Sequence, residues 1–134
     1  MKKFILIASV LFFASTGLAK EPIPTQTLPV KYTFTSNNTV IKLEEVKKFE
    51  QKQIGLMGRK SMDENHGMIF IYKKSSLLNF WMKNTLIPLD MIFLANNKIV
   101  GIIANVPPCL TPSSCPSYGP NHIANQVIEL NAGK

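Results

Sequence analysis

Hydrophobic and polar positions divide the chain into stretches of different period. A nearly unbroken apolar run from Phe4 to Ala14, interrupted by Ser9, opens it. Residues 20–30 (KEPIPTQTLPV) carry three prolines and neither a helical nor a strand period. Alternation then sets in. Tyr32 and Phe34 alternate with Lys31, Thr33 and Thr35, Ser36-Asn37-Asn38 signals a turn, and Val40-Ile41-Lys42-Leu43 resumes the pattern. Two alternating runs joined by asparagines predict a hairpin. From Glu45 the period lengthens: Val46, Phe49, Gln53, Leu56 and Met57 recur at the spacings of one helix face. Glu44 and Glu45 stand where negative charge favours a helix start, and Gly58 where a helix can stop.

Ser61 to Gly67 is a polar loop in which Ser61 and Glu64 have the spacing to cap one short turn. Met68 to Tyr72 reads as an apolar strand, and Lys73-Lys74-Ser75-Ser76 as the turn after it. Leu78 to Lys83 and Asp90 to Ala95 are further strands, with Asn84 to Leu89 as an irregular connection. Asn96-Asn97 is a tight turn into Lys98 to Ala104, which makes a second hairpin. Residues 107–120 form a proline-rich loop, and Val127 to Leu130 a last strand. Many short strands and one helix, without alternating strand and helix, predict a mainly β domain. The expected form is an antiparallel β-sandwich or partly closed barrel with one short helix packed over an end.

Charge gives the opening run a meaning. Lys2 and Lys3 precede it, and Gly17 and Ala19 supply the small residues of a cleavage site, so residues 1–19 read as a secretory signal peptide. The run is too short to span a bilayer. Residues 20–30 are then a linker and residues 31–134 a single domain with a modest core. The expected location is periplasmic or secreted, with no transmembrane span after cleavage. Loss of Lys2 and Lys3 lowers the formal charge of +7 by two. The other lysines are dispersed, with no basic stripe interleaved with aromatics, which argues against nucleic acid as a partner. An envelope polymer or a polar small molecule is the expected partner class. Cys109 and Cys115, close in sequence and in an oxidising compartment, are expected to form a disulfide. Closing so short a loop contributes about 2–3 kcal/mol. The spacing suits neither a thioredoxin motif nor a zinc site.

The densest chemistry lies in Phe80-Trp81-Met82-Lys83-Asn84-Thr85-Leu86-Ile87-Pro88-Leu89-Asp90. On a strand, Phe80 and Met82 face the core while Trp81 and Lys83 face outward. Trp81, Lys83, Asn84 and Asp90 then offer a ring, a cation, an amide and a carboxylate, a set able to hold a polar ligand. The structural alternative buries Trp81, pairs Lys83 with Asp90 and spends Asn84 on the loop backbone. Arg59, the one arginine of the chain, either joins that site or locks onto Asp90 as an internal bridge, the favoured reading. Two rivals remain. Asp90 as a general base with Glu129 or a histidine would make a hydrolase. Met62, His66 and Met68 offer soft ligands for cuprous copper, although methionines more commonly fill cores. The crosslinked loop, with Tyr118, is a second candidate surface. No cofactor and no resident metal are expected.

The segments Gly55-Leu56-Met57-Gly58-Arg59, Gly67-Met68-Ile69-Phe70, the run from Phe80 to Asp90, Pro108-Cys109, Cys115-Pro116-Ser117-Tyr118 and Val127 to Gly133 resemble the bacterial domain of unknown function 192 family. The resemblance spans about Val40 to Lys134. It implies a compact, mostly β, usually exported domain, and it brings no agreed activity. Family members generally continue past the Asn-Ala-Gly segment with further helix and strand, so an end at Lys134 is expected to leave a strand edge uncovered. The leading expectation is a non-enzymatic binding or accessory module of the cell envelope.

Overall fold

A computed structural model describes Gly17 and residues 20–134. The expected signal peptide therefore lies, apart from Gly17, outside the described residues. Strands β1 (Val30–Ser36) and β2 (Thr39–Val46) form the first hairpin, followed by helix α1 (Phe49–Ile54). Then come β3 (His66–Leu77), the short β4 (Phe80–Trp81), the hairpin β5 (Leu89–Ala95) and β6 (Lys98–Val106), the short β7 (Ser117–Tyr118) and β8 (Ile123–Asn131). Six strands make one sheet in the order β1-β2-β3-β8-β5-β6, and β4 pairs with β7 in a small second sheet. The domain is thus mainly β with one short helix, and its sheet stays open instead of closing into a barrel.

The asparagine pairs behave as their chemistry dictates. Asn37 and Asn38 sit at φ 48° and 60°, and Asn96 and Asn97 at 49° and 65°. This left-handed region matches the strand twist in two-residue turns, and asparagine tolerates it better than other side-chain-bearing residues. Three expectations fail. The β2–β3 pair is parallel, Lys42 opposite His66 through Val46 opposite Phe70, so the sheet is mixed. Glu44 and Glu45 belong to β2, and the helix begins only at Phe49, where the Gln51 side chain accepts hydrogen bonds from the Lys47 and Lys48 N–H groups. Lys73 to Ser76 is no turn: β3 runs on through it, with an irregularity against β8 between Ile71 and Ser76.

The sheet is apolar on both faces. One face carries Val46, Met68, Phe70, Met91, Phe93 and Val127, covered by Leu56 and Met82 from the chain that crosses it. The other carries Ile41, Leu43, Ile69, Ile128 and Leu130. Alternation along β3, β5 and β8 sorts these sets, and both faces gain from leaving water at roughly 25 cal/mol per Å². Gly67 marks the tightest approach. A Cβ there would stand 2.5 Å from the Glu129 carbonyl oxygen, so β3 and β8 could not keep their spacing around a side chain. The proline-rich segment before β1 lies across the body. The Gln26 amide donates to the Gln51 and Gly55 carbonyls, the Leu28 N–H to the Glu44 carboxylate, and the Glu45 N–H to the Pro29 carbonyl.

Candidate functional site

Three carboxyl groups are buried in the sheet: Glu44, Asp90 and Glu129, each 5% exposed or less. Buried acids demand partners, and the first two have them. Glu44 accepts two 2.8 Å bonds from the Arg59 guanidinium, one of 2.6 Å from the Leu28 N–H, and lies 2.8 Å from His66 Nε2. Burial pushes its pKa up, but these bonds outweigh burial and hold it below the ordinary value. Asp90 accepts from the Asn105 N–H at 2.7 Å, the Gly133 N–H at 2.8 Å and the Lys134 N–H at 3.0 Å.

Glu129 is different. It shares its side of β8 with Val127 and stands opposite Met68 on β3 and Met91 on β5. Its carboxyl takes no hydrogen bond from the described residues, yet among them no side-chain oxygen or nitrogen is both sealed from solvent and unpartnered, so its oxygens keep an opening to solvent; burial pushes its pKa up to about 8. It lines a narrow cleft of about 30 Å³ with Lys52, Trp81, Lys83 and Thr85, which is room for one small polar group. The cleft shares Lys52, Phe80 and Trp81 with an open groove of about 400 Å³, which adds Phe49, Gln53, Tyr72, Asn79 and Ser117. A groove of that size takes the body of a small molecule or a short oligomer.

Each wall has a local cause. Phe49, Lys52 and Gln53 stand at three- and four-residue spacing on α1, so they share one face. Tyr72 comes from β3 and Trp81 from β4. Beneath them Phe80 meets Phe70 and Phe93 edge-on, with ring centroids 5.0 and 6.0 Å apart, which fixes the floor. Lys52 Nζ lies 4.1 Å from the centre of the Tyr72 ring, and Lys83 Nζ 5.0 Å from that of Trp81. Trp81 is 45% exposed and Phe49 71%, two large apolar surfaces left to solvent beside the groove.

The predicted site therefore divides. Trp81 and Lys83 face outward together, as expected, and Phe80 and Met82 inward. Arg59 and Asp90 do not join them. The guanidinium locks onto Glu44, not Asp90, and also donates to the Gln26 carbonyl at 2.8 Å. Asp90 is spent on backbone N–H groups and forms no pair with Lys83 or Arg59. Asn84 takes the left-handed conformation at φ 56°. Its N–H donates to the Cys109 carbonyl and its carbonyl accepts from the Gly58 N–H, so its work is in the turn. Of the proposed copper ligands, Met68 is fully buried in the core, Met62 packs against that core, and His66 Nε2 is on Glu44. Cys109 and Cys115 are bridged. Sequence reading missed Lys52, Tyr72 and the central part of Glu129. The signal for Glu129 was present: a carboxylate in step with Val127 inside an apolar strand.

A trough of similar size, about 410 Å³, lies on the opposite face between Phe34, Ile41, Ile92 and Leu130. Its rim charges, Glu64 and Lys134, answer each other at 3.6 Å, and no unanswered buried group opens into it.

A family model described as uncharacterized ACR matches residues 31–134. Among solved structures the chain is similar to a Sinorhizobium meliloti 1021 protein provisionally described as a transcription regulator. The two share 32% identity with a TM-score of 0.63, over 75% of this chain and 78% of that one. It is also similar to a protein of unknown function from Novosphingobium aromaticivorans DSM 12444, at 30% identity and a TM-score of 0.65, over 75% of this chain and 71% of that one. Among curated proteins none matches.

Proposed function

The chain belongs to the DUF192 family, and on that premise we propose that it is an exported envelope module that binds a hydroxyl-rich polar ligand of the saccharide class without transforming it. The observation that carries this reading is Glu129, a buried carboxyl that nothing in the protein answers, opening into a cleft beneath an exposed tryptophan. The carboxyl has hydrogen-bonding capacity that no protein group uses and that faces the cleft, so a ligand hydroxyl entering there can take it up. Sugar faces are apolar enough to stack on Trp81, and the amides of Gln53 and Asn79 stand ready for hydroxyls along the groove. Glu129 is the one carboxyl among the lining residues, so the acid pair of glycoside hydrolysis is not gathered around it. Export is supported by the basic, then apolar, opening of the sequence and by the disulfide, a bond that persists in oxidising compartments. A DNA-reading role, which the description of the S. meliloti protein raises, finds little support. The one helix among the described residues, Phe49–Ile54, is too short to serve as a recognition helix.

The test is a panel of neutral and acidic oligosaccharides read by thermal shift. At least one member is expected to raise the melting temperature. Trp81→Ala is expected to weaken that binding about tenfold or more by calorimetry while the unliganded protein melts unchanged. A panel in which no sugar binds would sink the reading.

A further inference from the structure

We propose that the groove selects acidic saccharides, with Lys52 and Lys83 as the cations that receive the ligand's carboxylates. The inference rests on the saccharide reading of the same groove and adds the charge of the ligand. Few of the described cations are paired with an acid. Lys47 pairs with Glu45, Arg59 and His66 with Glu44, and Lys134 with Glu64. Lys52 and Lys83 share the lack of an acid partner with most other described lysines, such as Lys42 and Lys98, and are set apart by where they stand. Each has only an aromatic ring beneath it, and both line the cleft that holds Glu129.

The groove is short of negative charge. Burial holds the Glu129 proton in place up to about pH 8, so near neutrality its carboxyl donates a hydrogen bond and cancels neither ammonium. Burial, and repulsion from Lys73, also pull the Lys52 pKa below its ordinary value, as expected for an ammonium in want of an anion. A ligand carboxylate between the two lysines supplies it. Bonds between ionised partners are roughly twice as strong as neutral ones, and the flanking rings exclude part of the water that would screen them. The division of labour is then clear. Trp81 and Tyr72 take sugar faces, Glu129 takes one hydroxyl, and the lysines read acidity.

The experiment compares trigalacturonate with its fully methyl-esterified form, the same backbone without its charges, by titrating the fluorescence of Trp81, the single tryptophan of the chain. The acid is expected to bind about tenfold more tightly than the ester. That advantage should shrink toward unity in a Lys52→Gln/Lys83→Gln double variant that still binds the ester. It should also shrink in the unaltered protein at ~0.5 M salt, a measurement that stands even if the double variant folds poorly. Equal affinity for acid and ester overturns the inference and leaves the saccharide reading standing. An advantage that survives the substitutions, or high salt, also overturns it, because other groups must then read the charge. If neither sugar binds and the wider panel is silent as well, both proposals fall together.

Discussion

Glu44, Asp90 and Glu129 occupy comparable depths in one sheet and are met in different ways: by a guanidinium and a histidine, by three backbone N–H groups, and by no protein group at a cleft mouth. The consequence for stability is sharpest at Glu129. Its carboxyl releases its proton near 4.5 in the unfolded chain but only near 8 in the folded one. Between those values the unfolded state holds fewer protons, so stability falls as pH rises from about 4.5 and the loss is complete above about 8. The size of that loss is on the order of 5 kcal/mol. Glu129→Gln is therefore expected to flatten this part of the profile and to be relatively more stable at pH 9 than at pH 5. Urea unfolding at the two pH values measures it, and an unchanged slope would show that Glu129 is not the group that titrates. At this scale the sequence was half legible. The outward pair Trp81 and Lys83 followed from strand alternation. Arg59 and Asp90 were misassigned because partner choice depends on which strands are neighbours, and Glu44, the true partner of Arg59, looked like part of a helix.

Elements show the same division between local and non-local causes. Both asparagine hairpins were readable because a turn's requirement for positive φ is local. The length of β3 was not, since Lys73 to Ser76 are polar and turn-like by themselves and are held extended only by β8 beside them. The crosslinked loop links element structure to the groove. The Cys109 carbonyl accepts the Asn84 N–H, Cys109 bridges to the strand position at Lys83, and the loop continues into β7, whose Ser117 pairs with Trp81. Breaking the disulfide should thus do more than cost about 2–3 kcal/mol of stability. A Cys109→Ser/Cys115→Ser variant is expected to melt lower and also to show altered Trp81 fluorescence below its melting transition. A lower melting temperature with an identical native spectrum would mean that the loop merely covers the sheet end.

For the whole molecule, the proline-rich segment matters more than its composition indicates. Gln26 holds the last turn of α1, the helix that carries Phe49, Lys52 and Gln53, and the Leu28 N–H completes the Glu44 cluster while its side chain rests on the core. A chain beginning at Val30 is expected to lose at least about 2–4 kcal/mol relative to one beginning at Lys20, from two charge-assisted bonds, Leu28 N–H to Glu44 and Arg59 to the Gln26 carbonyl, and one partly buried leucine. Chemical denaturation of the two chains decides it, and matching midpoints would reduce the segment to a passive linker.

The sequence by itself determined the mainly β class, one helix after the first hairpin, both hairpin turns, the pairing of two nearby cysteines and the outward face of Phe80 to Lys83. All of these rest on interactions within a few residues or on the two-residue period of a strand. Tertiary structure decided the parallel β2–β3 pairing, the partners of Arg59 and Asp90, and the meeting of Lys52, Tyr72, Lys83 and Glu129 around one groove. Those residues come from four parts of the chain, and only the packing order of strands brings them together. Electrostatic character follows that placement: burial and the supply of donors, not residue type, set whether an acid holds its proton.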